Sequence, residues 1–149
     1  MDTVSKEQRS RNMAAIQSKN TRPEIYLRKL LFARGYRYGL NSKSVPGHPD
    51  LYLRKYNTAV FVHGCYWHRH EGCKYAYTPK SRLEFWEKKF AANQRRDVVV
   101  RRELAERNVK YAIVWECTIK KMEKASQEKE HIMGKLENFL ISAEKSVEL

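Results

Sequence analysis

Asp50-Leu-Tyr-Leu-Arg-Lys-Tyr-Asn-Thr-Ala-Val-Phe-Val-His63 is the stretch whose reading decides the fold. Asp50 to Arg54 alternates like a strand, Lys55-Tyr-Asn57 turns, and Thr58 to Val62 is the buried hairpin partner. Upstream, Thr21-Arg-Pro-Glu24 carries the signals of a helix start: an N-cap threonine, an early proline and a glutamate at the capping-box position. Leu27, Leu30, Leu31 and Phe32 follow, and Gly35 ends the helix. Tyr36 to Leu40 is weakly strand-like, and Val45-Pro-Gly-His-Pro49 is a turn-rich connector.

Downstream, Ser81 with Glu84 has capping-box spacing and opens a long helix to about Asn108. Trp86, Phe90, Asn93, Asp97, Val100 and Leu104 mark one face of it. Val109 to Trp115 is an apolar interior strand, and a closing helix spans roughly Gln127 to Ile141. At the other end, Ser5 with Gln8 has the same box spacing, and Arg11 to Lys19 forms a short basic helix or an arm that orders on its partner. The order helix, hairpin, helix, strand, helix predicts an α/β fold with a central mixed β-sheet flanked by helices. A chain of 149 residues without repeats or linkers is expected to be one domain, 1–149, with 1–20 as the basic N-terminal arm.

Thirty Lys and Arg against seventeen Asp and Glu give a formal charge of +13. An excess of that size favours a polyanionic partner, nucleic acid being the commonest. No apolar run approaches the ~20 residues of a membrane span, and Met1 to Lys6 has no secretory apolar core. Three cysteines, an odd number, argue against a closed disulfide framework and fit a reducing compartment. A cytoplasmic protein without membrane contact is expected.

Directly after the hairpin, His63-Gly-Cys-Tyr-Trp-His-Arg-His-Glu-Gly-Cys73 holds thiols, imidazoles and large aromatics at a density that packing elements do not show. Cys65, His70 and Cys73 make a C-x4-H-x2-C cluster, and Cys117, just past the last strand, is the remaining cysteine to complete it. A closed Cys3His set is a structural zinc site, because no position is left for water. The alternative is three unrelated thiols beside surface histidines.

Pro49-Asp50 at a strand start, with the partner strand ending at Phe61-Val62-His63, resembles the restriction-endonuclease-like core. There, an aspartate after proline and an acid-x-lysine on the next strand hold Mg²⁺ over a phosphodiester. Phe61 and His63 stand here in the acid and lysine positions. Asp97 falls within an apolar stripe and must find a partner. Either an arginine takes it as a salt bridge, or it orients His63 or His68 for general acid-base work. Glu24 is explained by its capping box on local grounds alone.

Together these residues resemble the very-short-patch repair endonucleases, which nick DNA at T:G mismatches left by deamination of 5-methylcytosine. The likeness runs from about Ser10 to Cys117. It is carried by Arg-Ser-Arg-Asn-Met13, Pro-Gly-His-Pro-Asp50, Val-Phe-Val-His-Gly-Cys-Tyr-Trp-His68, Glu-Phe-Trp86, Asn93, Arg-Arg-Asp97 and Val-Trp-Glu-Cys117. The resemblance implies that Asp50 and the main-chain carbonyl of Val62 hold catalytic Mg²⁺, and that His68 is the general acid-base group. It also implies that His63, Asp97 and Glu24 complete the site, and that Cys65, His70, Cys73 and Cys117 bind structural Zn²⁺. Tyr66 and Trp67 would wedge into the duplex beside the mismatch, and Met13 would enter from the minor groove. Lys89 and Asn93 would lie near the mismatched pair. The implied partner is double-stranded DNA with a T:G mismatch, met by a monomer in a bacterial, nucleoid-associated setting, with mismatch-repair proteins as further partners. Two other readings fit the same residues: a zinc-stabilised DNA-binding module without cleavage, and a nuclease accompanying a restriction-modification system.

Overall fold

A computed structural model describes residues 20–149; the expected N-terminal arm and Met13 lie outside them. The elements are α1 (Arg22–Ala33), β1 (Gly39–Leu40), β2 (Leu51–Leu53), β3 (Thr58–His63), α2 (Leu83–Glu106), β4 (Lys110–Trp115), α3 (Glu116–Lys124), α4 (Ser126–Ile141) and β5 (Ser146–Glu148). The strands form one five-stranded sheet in the order β1-β2-β3-β4-β5. β1 to β3 pair antiparallel, while β3, β4 and β5 run parallel, so the sheet is mixed as expected.

The two central strands explain the layering. Side chains alternate faces along a strand, so Val60, Ala112 and Val114 point into one cluster with Leu27, Leu31, Ile119, Met133 and Leu136. Ala59, Phe61, Ile113 and Trp115 point into a second cluster, with Leu104. Helices α1, α3 and α4 therefore cover one face and α2 the other. Burial on both faces is why β3 and β4 are near-continuous apolar runs. The same alternation carries from Ala59 through Phe61 to His63, placing His63 on the α2 side of the sheet.

Two helix starts differ from expectation. Thr21 caps α1 without a side-chain hydrogen bond, and Glu24 Oε2 accepts instead from the Asn20 N–H at 2.8 Å. Glu24 shares a buried stripe with Leu27 and Leu31, so its carboxyl is drawn under the helix, away from a box with Thr21. Helix α2 begins at Leu83, with Arg82 as a left-handed N-cap that makes no side-chain cap bond, one residue beyond the expected Ser81. The expected ends of α1 and the closing helix hold: Gly35 follows α1 with φ +95°, and α4 ends at Ile141. The sequence reading missed α3 and β5.

The 45–49 connector is seated by Gly47. A Cβ there would stand 2.6 Å from Val100 Cγ1 and 3.0 Å from Phe61, and φ is +81°. Only glycine lets this loop lie against both β3 and α2, and it delivers Asp50 to the start of β2.

Candidate functional site

Because β2 starts at Leu51, opposite Val60, the end of β3 extends past its partner. The Val62 N–H thereby becomes free to donate to Asp50 Oδ2, at 2.6 Å. Asp50 is also hydrogen-bonded to Glu24, which is 6% exposed at the foot of α1. Burial, opposed by the Val62 hydrogen bond and reinforced by Glu24, pushes the Asp50 carboxyl up to about 7. Two carboxyls in one dry corner must share a proton or a cation.

Across the cleft, His68 Nδ1 lies 2.8 Å from Asp97 Oδ2. Asp97 therefore pairs with a histidine and not with an arginine. Burial raises Asp97, but the His68 hydrogen bond and the neighbouring positive charges outweigh it, leaving the carboxyl below its ordinary value. The rings of His63 and His68 stack at 3.7 Å with 4° between planes. Burial above all, with help from His68, drives His63 down to about 3, so the stacked partner is neutral at physiological pH. His63 Nδ1 is buried without a hydrogen-bond partner among the described residues. Nδ1 is thus a donor or acceptor held in reserve at the cleft wall.

A cleft of about 290 Å³ is lined by Glu24, Asp50, Val62, His63, His68 and Asp97 together. All five candidate acid-base residues thus meet in one concavity although 73 positions separate the first from the last. His48, Arg96 and Arg101 also line it, and the sequence reading did not single them out. His48 and Arg96 stood inside the motifs that carry the resemblance, without a role assigned, and the signal for Arg101 was its place one turn beyond Asp97.

The loop carrying His68 is fastened at its base by Cys65, His70, Cys73 and Cys117, whose ligand atoms lie within 4.8 Å of one another. Cys117 arrives from the first turn of α3. Its Sγ is 3.5 Å from His70 Nδ1, which matches the ~3.5 Å edge expected for sulfur and nitrogen on one tetrahedral ion. The His70 ring is stacked on Trp115 at 4.0 Å, which fixes its orientation. Burial pushes the Cys65 thiol up to about 12, so a cation among these donors is what would hold it as a thiolate. The four residues can hold a metal ion, and none of the three cysteines is in a disulfide.

A second fastening was not foreseen. Arg69, left-handed at φ 52°, donates to the carbonyls of Tyr66, Ala76 and Tyr77 and lies 4.1 Å from the centre of the Phe90 ring. Above it, the Tyr66 ring packs among Trp67, Tyr77, Trp86 and Phe90. Trp67 packs edge-on to Tyr66, against Trp86, with Lys89 Nζ 5.7 Å from the centre of its ring. Asn93 donates to the Trp67 carbonyl at 3.3 Å. The four candidate DNA-facing residues in the described chain, Tyr66, Trp67, Lys89 and Asn93, thus form one aromatic and basic surface beside the cleft. Phe85 and Tyr77 extend it as exposed rings.

A family model described as DNA mismatch endonuclease Vsr matches residues 1–74. A type II nicking enzyme of Neisseria meningitidis is 43% identical, over 80% of this chain and 84% of its own. A second, from Xanthomonas oryzae, is 43% identical over 79% and 86%. The DNA mismatch endonuclease Vsr of Escherichia coli K12 is 37% identical over 85% and 81%.

Proposed function

This chain belongs to the DNA mismatch endonuclease Vsr family, and from that premise we propose that it nicks one strand of duplex DNA beside a T:G mismatch by Mg²⁺-dependent phosphodiester hydrolysis. The observation that carries the reading is the His68–Asp97 pair facing Asp50 across a single cleft. A binding module has no use for a carboxylate-oriented imidazole opposite a second, raised carboxyl; a hydrolase has.

Asp50 and the main-chain carbonyl of Val62 offer hard oxygen donors of the kind Mg²⁺ takes, and the Asp50–Glu24 corner carries excess negative charge suited to a cation. The ion would supply positive charge that polarises the scissile phosphate. Val62 turns its N–H toward Asp50, and the carbonyl of a strand residue faces the same side as its N–H. His68 exchanges a proton with the reacting oxygen while Asp97 fixes its tautomer. His63 stays neutral and shields the imidazole of His68 from solvent on its stacked face. Cys65, His70, Cys73 and Cys117 fit Zn²⁺ in number and type, and zinc would stiffen the loop that carries both Trp67 and His68. The Cβ-intolerant seat of Gly47 and the β2–β3 hairpin fit a restriction-endonuclease-like core, in one domain whose residues 1–20 would reach along the DNA with Met13.

A T:G pair is already weakened, so opening the stack there costs less than the few kcal/mol of a matched step. Stacking on Trp67 returns about 1–3 kcal/mol per base. The deciding experiment incubates labelled T:G and T:A duplexes with Mg²⁺, wild-type protein and Asp50→Ala. Nicking of the T:G duplex alone, lost in the variant, is expected. Tight binding without nicking would sink the enzyme reading. Equal cutting of both duplexes would favour a companion of a restriction-modification system, a reading the nicking-enzyme relatives make specific.

A further inference from the structure

Arg101 stands on α2 four residues beyond Asp97, on the same helix face. Its side chain lines the cleft of Asp50, His63 and His68, and also an adjoining cavity of about 560 Å³ bounded by Trp115 and Glu148. Its charge is felt at the centre of the site. Burial is the main cause of the low His63 value, and Arg101 adds to it; at Asp97, Arg101 acts with the His68 hydrogen bond against burial. Among the described residues its ion-pair partner is Glu148 on β5, through one nitrogen at 3.9 Å, with the two side chains 41% and 58% exposed. A pair so long, single-stranded in its contact and so wet holds neither side chain firmly. The cleft presents the carboxyls of Glu24, Asp50 and Asp97 to an incoming polyanion, with Arg96 and Arg101 as its guanidinium groups. A planar guanidinium beside them is shaped for two phosphate oxygens at once.

We propose that Arg101 is a phosphate-binding residue of this cleft, whose guanidinium exchanges Glu148 for a backbone phosphate of the DNA that enters beside His68. The proposal rests on the nuclease reading above. In it, Glu148 is a resting partner that keeps the arginine aimed across the gap between α2 and β5. The competing account is that the pair exists only to anchor β5 to α2.

The test measures duplex affinity as a function of salt, single-turnover nicking and thermal unfolding for wild type, Arg101→Ala, Arg101→Lys and Glu148→Gln. Arg101→Ala should lower the nicking rate about tenfold to a hundredfold, as for loss of a hydrogen bond to a charged group. It should also reduce the slope of log K against log salt by about 0.9, one phosphate's worth. Arg101→Lys should restore the slope and only part of the rate, because a point charge replaces a fork. Glu148→Gln should tighten binding about threefold, as a competitor for the guanidinium is removed. A wild-type salt slope in Arg101→Ala, with a lowered unfolding temperature, overturns the proposal in favour of the anchor. If wild type binds duplex without nicking while Arg101→Ala still loses the slope, the nicking reading falls and the phosphate contact stands. If wild type nicks and the slope is unmoved, the reverse holds.

Discussion

His68 Nδ1 lies 2.8 Å from Asp97 Oδ2 while the His68 ring stacks on His63 at 3.7 Å. The hydrogen bond commits Nδ1 to the carboxylate and leaves Nε2 as the nitrogen for proton exchange. Asp97→Asn keeps the shape but offers an amide that can donate to Nδ1, stabilising the wrong tautomer. A fall of about 10²–10⁴-fold in the single-turnover rate is expected, the size of a general acid-base contribution. Duplex affinity should stay within about threefold. A wild-type rate in this variant would remove Asp97 from the mechanism.

Cys117 joins α3 to the loop between β3 and α2 through a contact of 3.5 Å to His70 Nδ1. Cys117→Ser should lose bound zinc, measured as metal per chain, and about 3 kcal/mol of stability, a Tm drop of roughly 6–12 °C for a chain of this length. One zinc per chain in the variant would mean the ligand set is wrong.

What was legible in the sequence follows from periodicity. β3 and β4 are short apolar runs bounded by turn residues, and both lie inside the sheet. The stripe from Trp86 to Leu104 became the inner face of α2: Asp97, Val100 and Leu104 line the cleft, while Trp86, Phe90 and Asn93 hold the loop of Tyr66 and Trp67. The Cys65–His70–Cys73–Cys117 cluster was legible because cysteine and histidine at that spacing have few other uses. The missed elements lacked such signals. α3 buries only Ile119 and Met122 and joins α4 through Ala125, with no glycine or proline to mark the break. β5 is Ser-Val-Glu, three residues that become a strand because β4 offers an open edge. The fate of Glu24 was hidden because its box position and its core stripe coincide in sequence, and only packing chooses between them.

Trp67 leans on Trp86 and is braced from behind by the Asn93 bond to its carbonyl. Its half-buried ring is therefore already ordered before DNA arrives, at little cost in lost side-chain freedom on binding. Trp67→Ala should reduce the T:G over T:A preference by about 1–3 kcal/mol, roughly fivefold to 150-fold in relative affinity. The salt slope of binding should not change, since no phosphate contact is removed. An equal loss for both duplexes would mean that Trp67 stabilises the loop and does not sense the mismatch.

Asp50 and His63 pull stability in opposite directions with pH. The Asp50 carboxyl, raised to about 7 by burial, binds its proton in the folded state between about pH 4 and 7 while the unfolded chain has released it. Stability from this group is therefore lost as pH rises through that window. His63, lowered to about 3 by burial, refuses a proton that the unfolded chain takes up below about 6.5. Stability from it is present above that value and lost as pH falls toward 3. The two windows overlap, so the wild-type unfolding temperature in magnesium-free buffer should change little with pH between about 4 and 6.5. Asp50→Asn removes the first contribution alone. Its unfolding temperature should exceed that of wild type by roughly 8–16 °C at pH 8, with the gain shrinking toward zero by pH 4. The same variant should not nick. A gain that is constant across pH would trace the effect to packing and leave the Asp50 proton out of it.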